Sequence, residues 1–500
     1  MKLKALLKDL NIEQVRGPKD IDVVGVGANS CRVAPGYLFI AKKGLTVDGA
    51  QYIPDAVAAG AVVVVTDIVD PTLSDVTQVI TRDPGSLEAV LAARLYGNPS
   101  RELFTVGITG TNGKTTTAYI VRHLLNCTEL GGPCGLIGTI EYLVGGQRFD
   151  ATHTTPEVAF SNKMLREMCR KQCRSVVMEV TSHGLEQGRV SGIDYDVAVF
   201  TNLSVDHLDY HGNMEDYCSA KTRLFRSLDT SNRKAGMPDP VAIVNGDDPW
   251  CGRIIEGCKV PVLTFGYRDN VDIQASDVEV TTEGTAFTVN YRGESVRLHC
   301  PLIGGYNVCN ILAAIGVVLQ KGATLEVIAE ALTSLPPVPG RLEPVANNLG
   351  INVFVDFAHT PDALGNVLRT VRGIVSKRLI TVCGCGGDRD PSKRAPMGRI
   401  AERWSDLCIV TSDNPRREDP EVICQQIMQG VLAPDRHRIE VDRYQAIAIA
   451  IEEAKPGDTV VIAGKGHEKK QIFSHKTLAF DDCLVAGNLC KEYHQRHTQV

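Results

Sequence analysis

The stretch GTNGKTTT, residues 110–117, lies between an apolar run at 103–108 and a segment whose apolar residues recur with helical spacing. A glycine-containing loop between a strand and a helix is typical of a phosphate site, because its backbone N–H groups and the helix N-terminus face an anion. Lys114 is positioned to reach the outer phosphates of a nucleotide, and Thr115 to hold Mg²⁺. The stretch therefore predicts a nucleotide-phosphate site made by Gly110, Thr111, Asn112, Gly113, Lys114, Thr115 and Thr116.

The loop is a shortened variant of the common phosphate-binding motif. A strict P-loop has glycine at position 108, whereas this chain has Ile108, with Gly107 before it and Gly110 inside the loop. One buried stripe predicts the following helix: Ala118, Val121, Leu124 and Leu125. The alternative is an ordinary strand-to-helix turn with a solvated lysine, which the position between strand and helix disfavours.

Length and charge restrict the class of protein. The chain has 500 residues, enough for two to four domains, and its formal net charge is −6 without a basic block. A nucleic-acid partner therefore has no electrostatic support, and a small-molecule partner is favoured. The longest apolar run, 56–65, is half a membrane span, and the N-terminal apolar run at 5–7 is too short for a signal peptide. We expect a soluble, cytoplasmic protein without a membrane span.

Sixteen cysteines are scattered through apolar segments of the chain. Cys383 and Cys385 flank one glycine, and Cys169 and Cys173 lie one helical turn apart. A structural zinc site needs four well-placed ligands. Reduced and mostly buried thiols are the simpler interpretation.

Three blocks follow one another and predict an α/β protein of three domains. Gly97, Asn98 and Pro99 end the first block, and a proline-rich linker at 336–340 separates the second from the third. We predict an N-terminal domain over 1–99, a central nucleotide-binding domain over 100–337 and a C-terminal domain over 338–500. Alternating residues at 272–300 predict antiparallel hairpins in the central block. The C-terminal block alternates apolar strands with helices, which predicts a doubly wound, Rossmann-like sheet.

Three polar loops follow strands of the C-terminal block. They read GCGGDRDPSK at 384–393, SDNPRR at 412–417 and GKGHE at 464–468. Ligands gather beyond the carboxyl ends of strands in such sheets, so the loops are predicted to share one rim. Together they offer charges of both signs, which suits a ligand with carboxylate and ammonium groups: Arg389, Arg416 and Lys465, with Asp388, Asp413 and Glu468.

Two polar loops of the central block also follow apolar strands, so we expect them at the same sheet edge as the phosphate loop. Glu179 and His207 could complete the coordination of a divalent metal near Thr115, with Mg²⁺ or Mn²⁺ favoured by oxygen ligands. His207 and His211 have the spacing of a zinc peptidase, but Leu208 occupies the position of the required base. His211 could equally be a hydrogen-bonded structural residue.

The motifs, in their order along nearly the whole chain, resemble those of the Mur ligase family of bacterial peptidoglycan synthesis. Besides the phosphate loop and the three rim loops, they are SxRVxPGxLF at 30–39, TTPE at 154–157, MEVTSHGLEQGRV at 178–190, TNLSVDHLDYHG at 201–212, YCSAK at 217–221, GGYNVCN at 304–310, PGRLE at 339–343 and DFAHTPDAL at 356–364. The resemblance implies a uridine-nucleotide domain, a central ATPase domain and a Rossmann-like C-terminal domain.

The resemblance also implies roles for individual residues. UDP-muramoyl dipeptide contacts are implied for Ser30, Thr154, Thr155, Thr181, Gln187 and Arg189. ATP contacts beyond the loop are implied for Asn307, Arg341 and Asp356, and metal contacts for Thr115, Glu179, His207 and Lys221. Lys221 matches a lysine that is carbamylated in the family; without the resemblance it would be interpreted as a surface lysine. Amino-acid contacts are implied for Arg389, Asp413, Asn414, Pro415, Arg416, Gly464 and Glu468.

The implied reaction is ATP- and Mg²⁺-dependent amide formation. ATP phosphorylates the D-glutamyl γ-carboxylate of UDP-N-acetylmuramoyl-L-Ala-D-Glu, and the amine of meso-2,6-diaminopimelate displaces phosphate. Lys114, Lys221 and His207 are the implied catalytic residues, and a monomer is expected. Three alternatives remain open: a lysine-adding member of the family, a folylpolyglutamate-type ligase and a nucleotide-switch protein. The last lacks an N-K-x-D signature and leaves the rim loops unexplained.

Overall fold

The computed structural model describes residues 1–44, 47–128, 130–230 and 233–498. They form two compact units, Met1–Phe265 with Ala313–Ala323, and Gly266–Leu312 with Thr324–Val500. Parallel strands alternate with helices in both units, so the predicted α/β class is confirmed.

The N-terminal part of the first unit is built on a five-stranded sheet in the order β1-β5-β4-β3-β2. The elements are α1 (Leu3–Leu6), β1 (Gln14–Arg16), β2 (Gly25–Gly27), β3 (Tyr37–Ile40), α2 (Ile53–Ala58), β4 (Val63–Thr66), β5 (Thr77–Ile80) and α3 (Pro84–Leu95). Only β1 runs antiparallel to its neighbour in this sheet. Helix α3 begins after Asp83, whose side chain accepts the Ser86 N–H and satisfies one donor of the first turn.

A second sheet forms the rest of the first unit. Its elements are β6 (Phe104–Thr109), α4 (Lys114–Cys127), β7 (Cys134–Ile137), β8 (Glu141–Val144), β9 (Gln147–Asp150), α5 (Val158–Arg170), β10 (Ser175–Glu179), α6 (Ser182–Glu186), β11 (Val197–Phe200), α7 (Leu208–His211), α8 (Met214–Arg226), β12 (Val241–Asn245), α9 (Cys251–Ile254) and β13 (Val262–Gly266). The order is β13-β12-β11-β6-β10-β7-β8-β9, parallel from β13 to β7. Strands β6, β10 and β11 are buried on both faces, which explains their nearly continuous apolar sequences.

This order brings three loops to one edge of the sheet. Strand β6 lies between β10 and β11, and all three are parallel, so their carboxyl ends lie side by side. The phosphate loop follows β6, the segment beginning at Val180 follows β10, and the segment beginning at Thr201 follows β11. The shared edge predicted from the sequence is confirmed.

The second unit begins with an antiparallel meander and two helices. They are β14 (Ile273–Thr281), β15 (Gly284–Tyr291), β16 (Glu294–Cys300), α10 (Gly305–Gln320) and α11 (Leu325–Thr333), with the last turns of α10 belonging to the first unit. Antiparallel pairing of β14 with β15 and of β15 with β16 confirms the predicted hairpins.

A six-stranded sheet completes the second unit, in the order β17-β18-β22-β19-β20-β21. Its elements and those that follow are β17 (Glu343–Pro344), β18 (Asn352–Asp356), α12 (Pro361–Ile374), β19 (Leu379–Cys383), α13 (Arg394–Trp404), β20 (Leu407–Val410), α14 (Pro420–Met428), β21 (Arg438–Ile439), α15 (Arg443–Glu453), β22 (Thr459–Ala463), β23 (Lys470–Ile472), β24 (Thr477–Ala479) and α16 (Asp482–Thr498). Strands β22, β19 and β20 are adjacent and parallel, so the three rim loops follow neighbouring strands, as the sequence predicts.

Two expectations about composition can be compared with the described residues. None of their helices has the length and apolar character that crossing a membrane requires. All sixteen cysteines are free thiols. Within the described ranges, no group of three or more His, Cys, Asp or Glu side chains is arranged to hold a metal ion.

Candidate active site

The phosphate loop turns sharply at two glycines. Gly110 has φ of +152° and Gly113 has φ of +84°, and Gly113 precedes the first residue of α4. A side chain at Gly110 would also overlap the Thr201 hydroxyl. Positive φ and close packing against the strand β11 segment together require glycine at position 110.

Backbone contacts fix the loop against the segment that follows β11. The Thr111 N–H donates to the Asn202 carbonyl at 2.8 Å, and the Asn112 N–H donates to Asn202 Oδ1 at 3.0 Å. The Lys114 ammonium donates to the carbonyls of Gly110 and Thr111 at 2.9 and 2.8 Å. Lys114 thus lies over the loop, at the N-terminus of a helix where negative charge is favoured.

Glu179 is held by hydroxyl and amide donors at the end of β10. Its Oε2 accepts hydrogen bonds from Thr115 Oγ1 at 2.8 Å and from Thr139 Oγ1 at 2.9 Å. Its Oε1 accepts the Thr139 N–H at 2.8 Å. Two of the predicted metal ligands, Thr115 and Glu179, are therefore in direct contact, and the buried carboxylate is kept in one orientation by Thr139.

Lys221 is buried, which corrects its interpretation from the sequence as a surface lysine. It lies on α8 with 1% relative exposure, and its Nζ donates to the Gly110 carbonyl at 2.9 Å. The same nitrogen lies 4.5 Å from the centre of the Tyr217 ring. Burial and the nearby Lys114 ammonium hold the pKa of Lys221 well below its usual value, because each disfavours the charged amine.

His207 belongs to a group of aromatic rings beside the phosphate loop. Its ring lies 4.8 Å from that of His183 and 6.1 Å from that of Tyr217, measured between centroids. Burial lowers the pKa of His207, although Asp206 opposes the shift. The neutral imidazole favoured in this way is the form that binds metals. His211 donates to or accepts from Ser182 Oγ at 3.0 Å, which supports the structural alternative for that residue.

The residues implied for the muramoyl dipeptide form one hydrogen-bonded group. Thr155 Oγ1 donates to the Glu179 carbonyl at 2.9 Å and lies 3.1 Å from Thr181 Oγ1. Arg189 Nη1 donates to the Thr155 carbonyl at 3.0 Å, while Nε and Nη2 of Arg189 donate to Gln187 Oε1 at 2.9 and 2.6 Å. Through Thr155, this group is bonded to the main chain of Glu179.

Thr154 and Ser30 occupy different surroundings. Thr154 Oγ1 lies 3.1 Å from Thr139 Oγ1, so Thr154 joins the group around Glu179. Ser30 begins a 3-10 turn, Ser30–Arg32, in the N-terminal part of the unit. Arg32 of that turn pairs with Glu157 at 3.4 Å, next to the TTPE motif.

The second unit contains the other residues implied for ATP. Asp356 ends β18, and its two carboxylate oxygens accept the N–H groups of Leu342 and Ala358 at 2.7 and 2.8 Å. Burial raises the pKa of Asp356, and Arg341 opposes that shift. The Arg341 guanidinium lies 4.9 Å from the centre of the Phe357 ring.

Asn307 lies in the first turn of α10, and its side chain is hydrogen-bonded to residues at the same end of that helix. Its Nδ2 donates to the Ile303 carbonyl at 2.8 Å, and its Oδ1 accepts from Asn310 at 2.9 Å. The side chain therefore has a fixed orientation in the second unit.

The rim loops bring the residues implied for the amino acid together. Arg416 has φ of +52°; its N–H donates to the Ile472 carbonyl at 2.9 Å, and its Nη1 donates to the Gly387 carbonyl at 2.7 Å. Pro415 precedes it, and a side chain at Gly464 would lie 2.7 Å from Asp413 Oδ2. Asp413, Arg416 and Gly464 therefore belong to one rim.

Of the predicted rim charges, Lys465 and Glu468 are bonded within the protein, whereas Arg389 is exposed. Lys465 is fully buried, and its Nζ donates to Asn414 Oδ1 and Glu468 Oε2, each at 3.1 Å, and to the Lys470 carbonyl. Asn414 Nδ2 also donates to Glu468 Oε2 at 2.7 Å. The expectation that Lys465 offers its charge to a ligand is therefore wrong, because Lys465 holds the rim loops together. Arg389 is exposed.

Sequence reasoning missed two residues of these sites, Thr139 and Tyr217, and it did not predict that Lys465 is buried. Thr139 follows β7 and shares the sheet edge of β10, a position that strand order alone would reveal. Tyr217 begins the YCSAK motif one turn before Lys221, and this helical spacing was an available signal. No local pattern distinguishes Lys465 from an exposed lysine.

Sequence comparisons match three parts of this chain to family profiles. The profiles are described as "Mur ligase family, catalytic domain" over residues 22–102, "Mur ligase middle domain" over 108–318 and "Mur ligase, glutamate ligase domain" over 340–466.

Full-length relatives carry one common name. The UDP-N-acetylmuramoyl-L-alanyl-D-glutamate–2,6-diaminopimelate ligase of Geobacillus kaustophilus is 44% identical, covering 98% of this chain and 100% of the relative. The enzyme of the same name from Chlamydia abortus is 41% identical, covering 99% of this chain and 100% of the relative.

Solved structures give a matching result. A structure of the ligase with that name covers 99% of both chains at 30% identity and a TM-score of 0.70. A MurF ligase from Thermotoga maritima in complex with ADP has 18% identity and a TM-score of 0.62, covering 94% of this chain and 98% of the other. Folylpolyglutamate synthase of Mycobacterium tuberculosis, at 21% identity, covers 75% of this chain and 91% of the other with a TM-score of 0.61, which shows a shared fold.

Proposed function

Because this chain belongs to the Mur ligase family, we propose that it is the ATP-dependent ligase that adds meso-2,6-diaminopimelate to UDP-N-acetylmuramoyl-L-Ala-D-Glu. The observation that carries this proposal is the rim in which Asp413 and Arg416 follow β20 and Glu468 follows β22, two parallel strands that flank β19. The name of the 44% identical relative gives 2,6-diaminopimelate as the amino acid it adds, and this chain covers that relative completely.

The reaction is a two-step amide synthesis. The D-glutamyl γ-carboxylate attacks the γ-phosphorus of ATP, ADP leaves, and an acyl phosphate forms. A diaminopimelate amine then attacks the acyl carbon, loses a proton and expels inorganic phosphate. Activation is needed because an unactivated carboxylate would have to expel oxide, which is a far poorer leaving group than phosphate.

The first unit supplies the groups for phosphoryl transfer. Lys114 and the loop N–H groups stabilise the charge on the transferred phosphoryl group, since fixed cations lower the barrier of such reactions. Thr154, Thr155, Thr181, Gln187 and Arg189 orient the dipeptide, and Ser30 contacts its uridine diphosphate. For Asn307, Arg341 and Asp356, which belong to the second unit, the resemblance implies contacts to the base, phosphate and ribose of ATP.

The donor atoms around Glu179 fit Mg²⁺. Thr115 and Glu179 present oxygen atoms 2.8 Å apart, and oxygen atoms are the ligands that Mg²⁺ prefers. His207 and a carbamylated Lys221 complete the proposed ligand set. Bound Mg²⁺ would supply fixed positive charge beside the phosphates and the substrate carboxylate.

Carbamylation of Lys221 is supported by its surroundings. The neutral amine reacts with CO₂ to form a carbamate and releases a proton. The lowered pKa of the buried Lys221 favours that neutral amine. The new carboxylate would replace a buried neutral amine with a metal-binding anion.

Replacing Thr139 by valine is expected to weaken the metal site while leaving the fold intact. The change removes the hydroxyl that donates to Glu179 Oε2 at 2.9 Å and keeps the backbone donor to Oε1. Loss of such an outer contact typically costs metal affinity roughly 10- to 100-fold. Mg²⁺ titration of ADP release and Mn²⁺ binding by electron paramagnetic resonance would measure the shift.

Thr128→Val is the matched control, because the buried Thr128 hydroxyl donates to the Leu124 carbonyl at the far end of α4. Equal metal affinity in Thr139→Val and the wild-type protein would contradict the role given to Thr139.

Arg416 is the proposed determinant of diaminopimelate over lysine. The two amino acids differ by one distal carboxylate, and a planar guanidinium can bind a carboxylate with two parallel hydrogen bonds. Asp413 and Glu468 would attract the ammonium groups, with Arg389, Asn414, Pro415 and Gly464 completing the pocket. A lysine-adding ligase, the alternative within the family, has no use for such a guanidinium.

Arg416→Ala is expected to lower kcat/KM for diaminopimelate about 30-fold or more, because truncating one partner of a partly buried charge pair costs about 2 kcal/mol or more. The KM for ATP should stay within about twofold of the wild-type value, since no ATP contact is removed. Steady-state ADP release with each substrate varied in turn would measure both constants.

Arg417→Ala is the matched control, because Arg417 is the neighbouring arginine and is exposed, paired with Asp388 at 2.9 Å. Equal kcat/KM for lysine and meso-diaminopimelate in the wild-type enzyme would refute the role of Arg416. ADP release that required a folate would instead establish the folylpolyglutamate alternative.

The cellular setting follows from the proposed reaction. Peptidoglycan precursors carrying UDP are made in the cytoplasm, and a small-molecule ligase needs neither a nucleic acid nor a membrane span. Cytoplasmic location and a monomeric state remain predictions.

A further inference from the structure

A buried ion pair lies directly behind the amino-acid rim. Arg443 is the first residue of α15 and Asp482 the first residue of α16, and both side chains are fully buried. The contact is bidentate: Arg443 Nε donates to Asp482 Oδ1 at 2.8 Å, and Nη2 donates to Oδ2 at 2.6 Å. The carboxylate therefore fixes the plane of the guanidinium.

The remaining donors of this guanidinium reach two strand ends. Arg443 Nη1 donates to the Ser412 carbonyl at 3.4 Å, and Nη2 donates to the Ala463 carbonyl at 3.1 Å. Ser412 immediately precedes Asp413, and Ala463 immediately precedes Gly464. Each carbonyl thus belongs to the peptide bond that leads into a residue of the rim.

The two strands joined in this way are not neighbours in the sheet. Strand β19 lies between β20 and β22, so no ladder hydrogen bonds link β20 to β22 directly. The spacing between Asp413 and Gly464 is nevertheless close, because a side chain at Gly464 would lie 2.7 Å from Asp413 Oδ2. The Arg443 guanidinium links the two strand ends directly, through the Ser412 and Ala463 carbonyls.

We propose that Arg443, oriented by Asp482, is a positioning residue that sets the geometry of the diaminopimelate pocket by joining the carboxyl ends of β20 and β22. Arg443 itself does not contact the amino acid. A buried ion pair adds little net stability compared with apolar residues, so its value lies in the fixed geometry it imposes. The assignment of the ligand rests on the proposed function, whereas the bridge rests on the contacts above.

The second unit contains a second arginine–aspartate pair, at the amino ends of strands of the same sheet, which serves as the matched control. Arg378 precedes β19 and Asp458 precedes β22; Arg378 Nη2 donates to Asp458 Oδ2 at 2.7 Å and to the Glu453 carbonyl at 2.6 Å. This pair joins elements at the amino ends of the strands, far from the rim. Its loss should destabilise the unit without altering the pocket.

The test compares Arg443→Met with Arg378→Met in the full-length protein. For Arg443→Met we expect the KM for diaminopimelate to rise roughly 10- to 100-fold, because small misplacements of positioned groups have effects of that size. The KM values for ATP and UDP-muramoyl dipeptide should change by less than about twofold, and the preference for diaminopimelate over lysine should fall. Arg378→Met should leave all three KM values and the preference unchanged.

Asp482→Asn and Arg443→Lys provide smaller changes in case Arg443→Met does not fold. Asparagine keeps one acceptor oxygen, and lysine keeps the charge but cannot reach both carbonyls in one plane. Both variants should shift the KM for diaminopimelate in the same direction. Parallel shifts in all three KM values, or equal effects of the Arg443 and Arg378 variants, would overturn the proposal.

Hydrogen–deuterium exchange separates this inference from the identity of the substrate. Amides at 412–417 and 464–468 should exchange faster in Arg443→Met, and in Asp482→Asn, but not in Arg378→Met. Unchanged exchange in those segments would refute the bridge even in an active enzyme. Faster exchange in a protein that does not use diaminopimelate would support the bridge and refute only the proposed substrate.

Discussion

Replacing Lys114 by alanine is expected to abolish nearly all ADP release while the protein stays folded. The Lys114 ammonium lies over the phosphate loop and donates to two of its carbonyls, at 2.9 and 2.8 Å. In phosphoryl transfer, a cation fixed beside the migrating group is worth about 10³- to 10⁵-fold in rate. We therefore expect kcat to fall by about that factor, with circular dichroism and thermal unfolding close to those of the wild-type protein.

Lys163→Ala is the matched control for this change, because Lys163 is an exposed lysine on α5 in the same unit. Its turnover should equal that of the wild-type enzyme. Near wild-type turnover in a folded Lys114→Ala protein would show that the loop at 110–117 does not serve phosphoryl transfer.

Replacing Lys221 by alanine is expected to lower kcat about 10³-fold, because the loss of a metal-binding carboxylate removes several kcal/mol of charge stabilisation. Small carboxylates should restore part of the activity, since acetate can occupy the space left by the carbamate. The wild-type enzyme, freed of CO₂ by degassing, should lose activity and regain it when bicarbonate is added. Native mass spectrometry with bicarbonate should show one added CO₂ that is absent from Lys221→Ala.

Lys114→Ala is the control for the rescue experiment. It removes a cation, which an added carboxylate cannot replace, so acetate should not restore its activity. An unmodified Lys221 in an active enzyme, or equal acetate effects on both variants, would contradict carbamylation.

Local sequence was sufficient to predict the elements that form the sites. The strands of the two parallel sheets appear as apolar runs because both of their faces are buried. Glycines at positive φ mark the phosphate loop, and alternation marks the meander at 272–300. The rim could be predicted because the carboxyl ends of parallel strands share an edge.

Polar side chains that are buried by distant parts of the chain could not be predicted in the same way. Lys221 contacts the Gly110 carbonyl across 111 positions of sequence, and no local pattern distinguishes it from an exposed lysine on an amphipathic helix. The resemblance to Mur ligases singled out Lys221, but its burial and lowered pKa depend on how α8 packs against the loop.

The sequence by itself determined the α/β class, the order of the strands and helices, and the loops that carry the chemistry, because these depend on residues close together in the chain. Tertiary structure alone decided which charged groups of the rim loops remain at the rim and which are buried behind it. Lys465 and Arg443 are buried behind the rim, whereas Arg416 remains at it. The burial and the hydrogen-bond partners of a side chain depend on which strands lie next to each other. In this sheet β22 and β19 are neighbours although they are far apart in the sequence. As a result, Arg378 Nη2, just before β19, donates to the carbonyl of Glu453 at the end of α15, 75 residues along the chain.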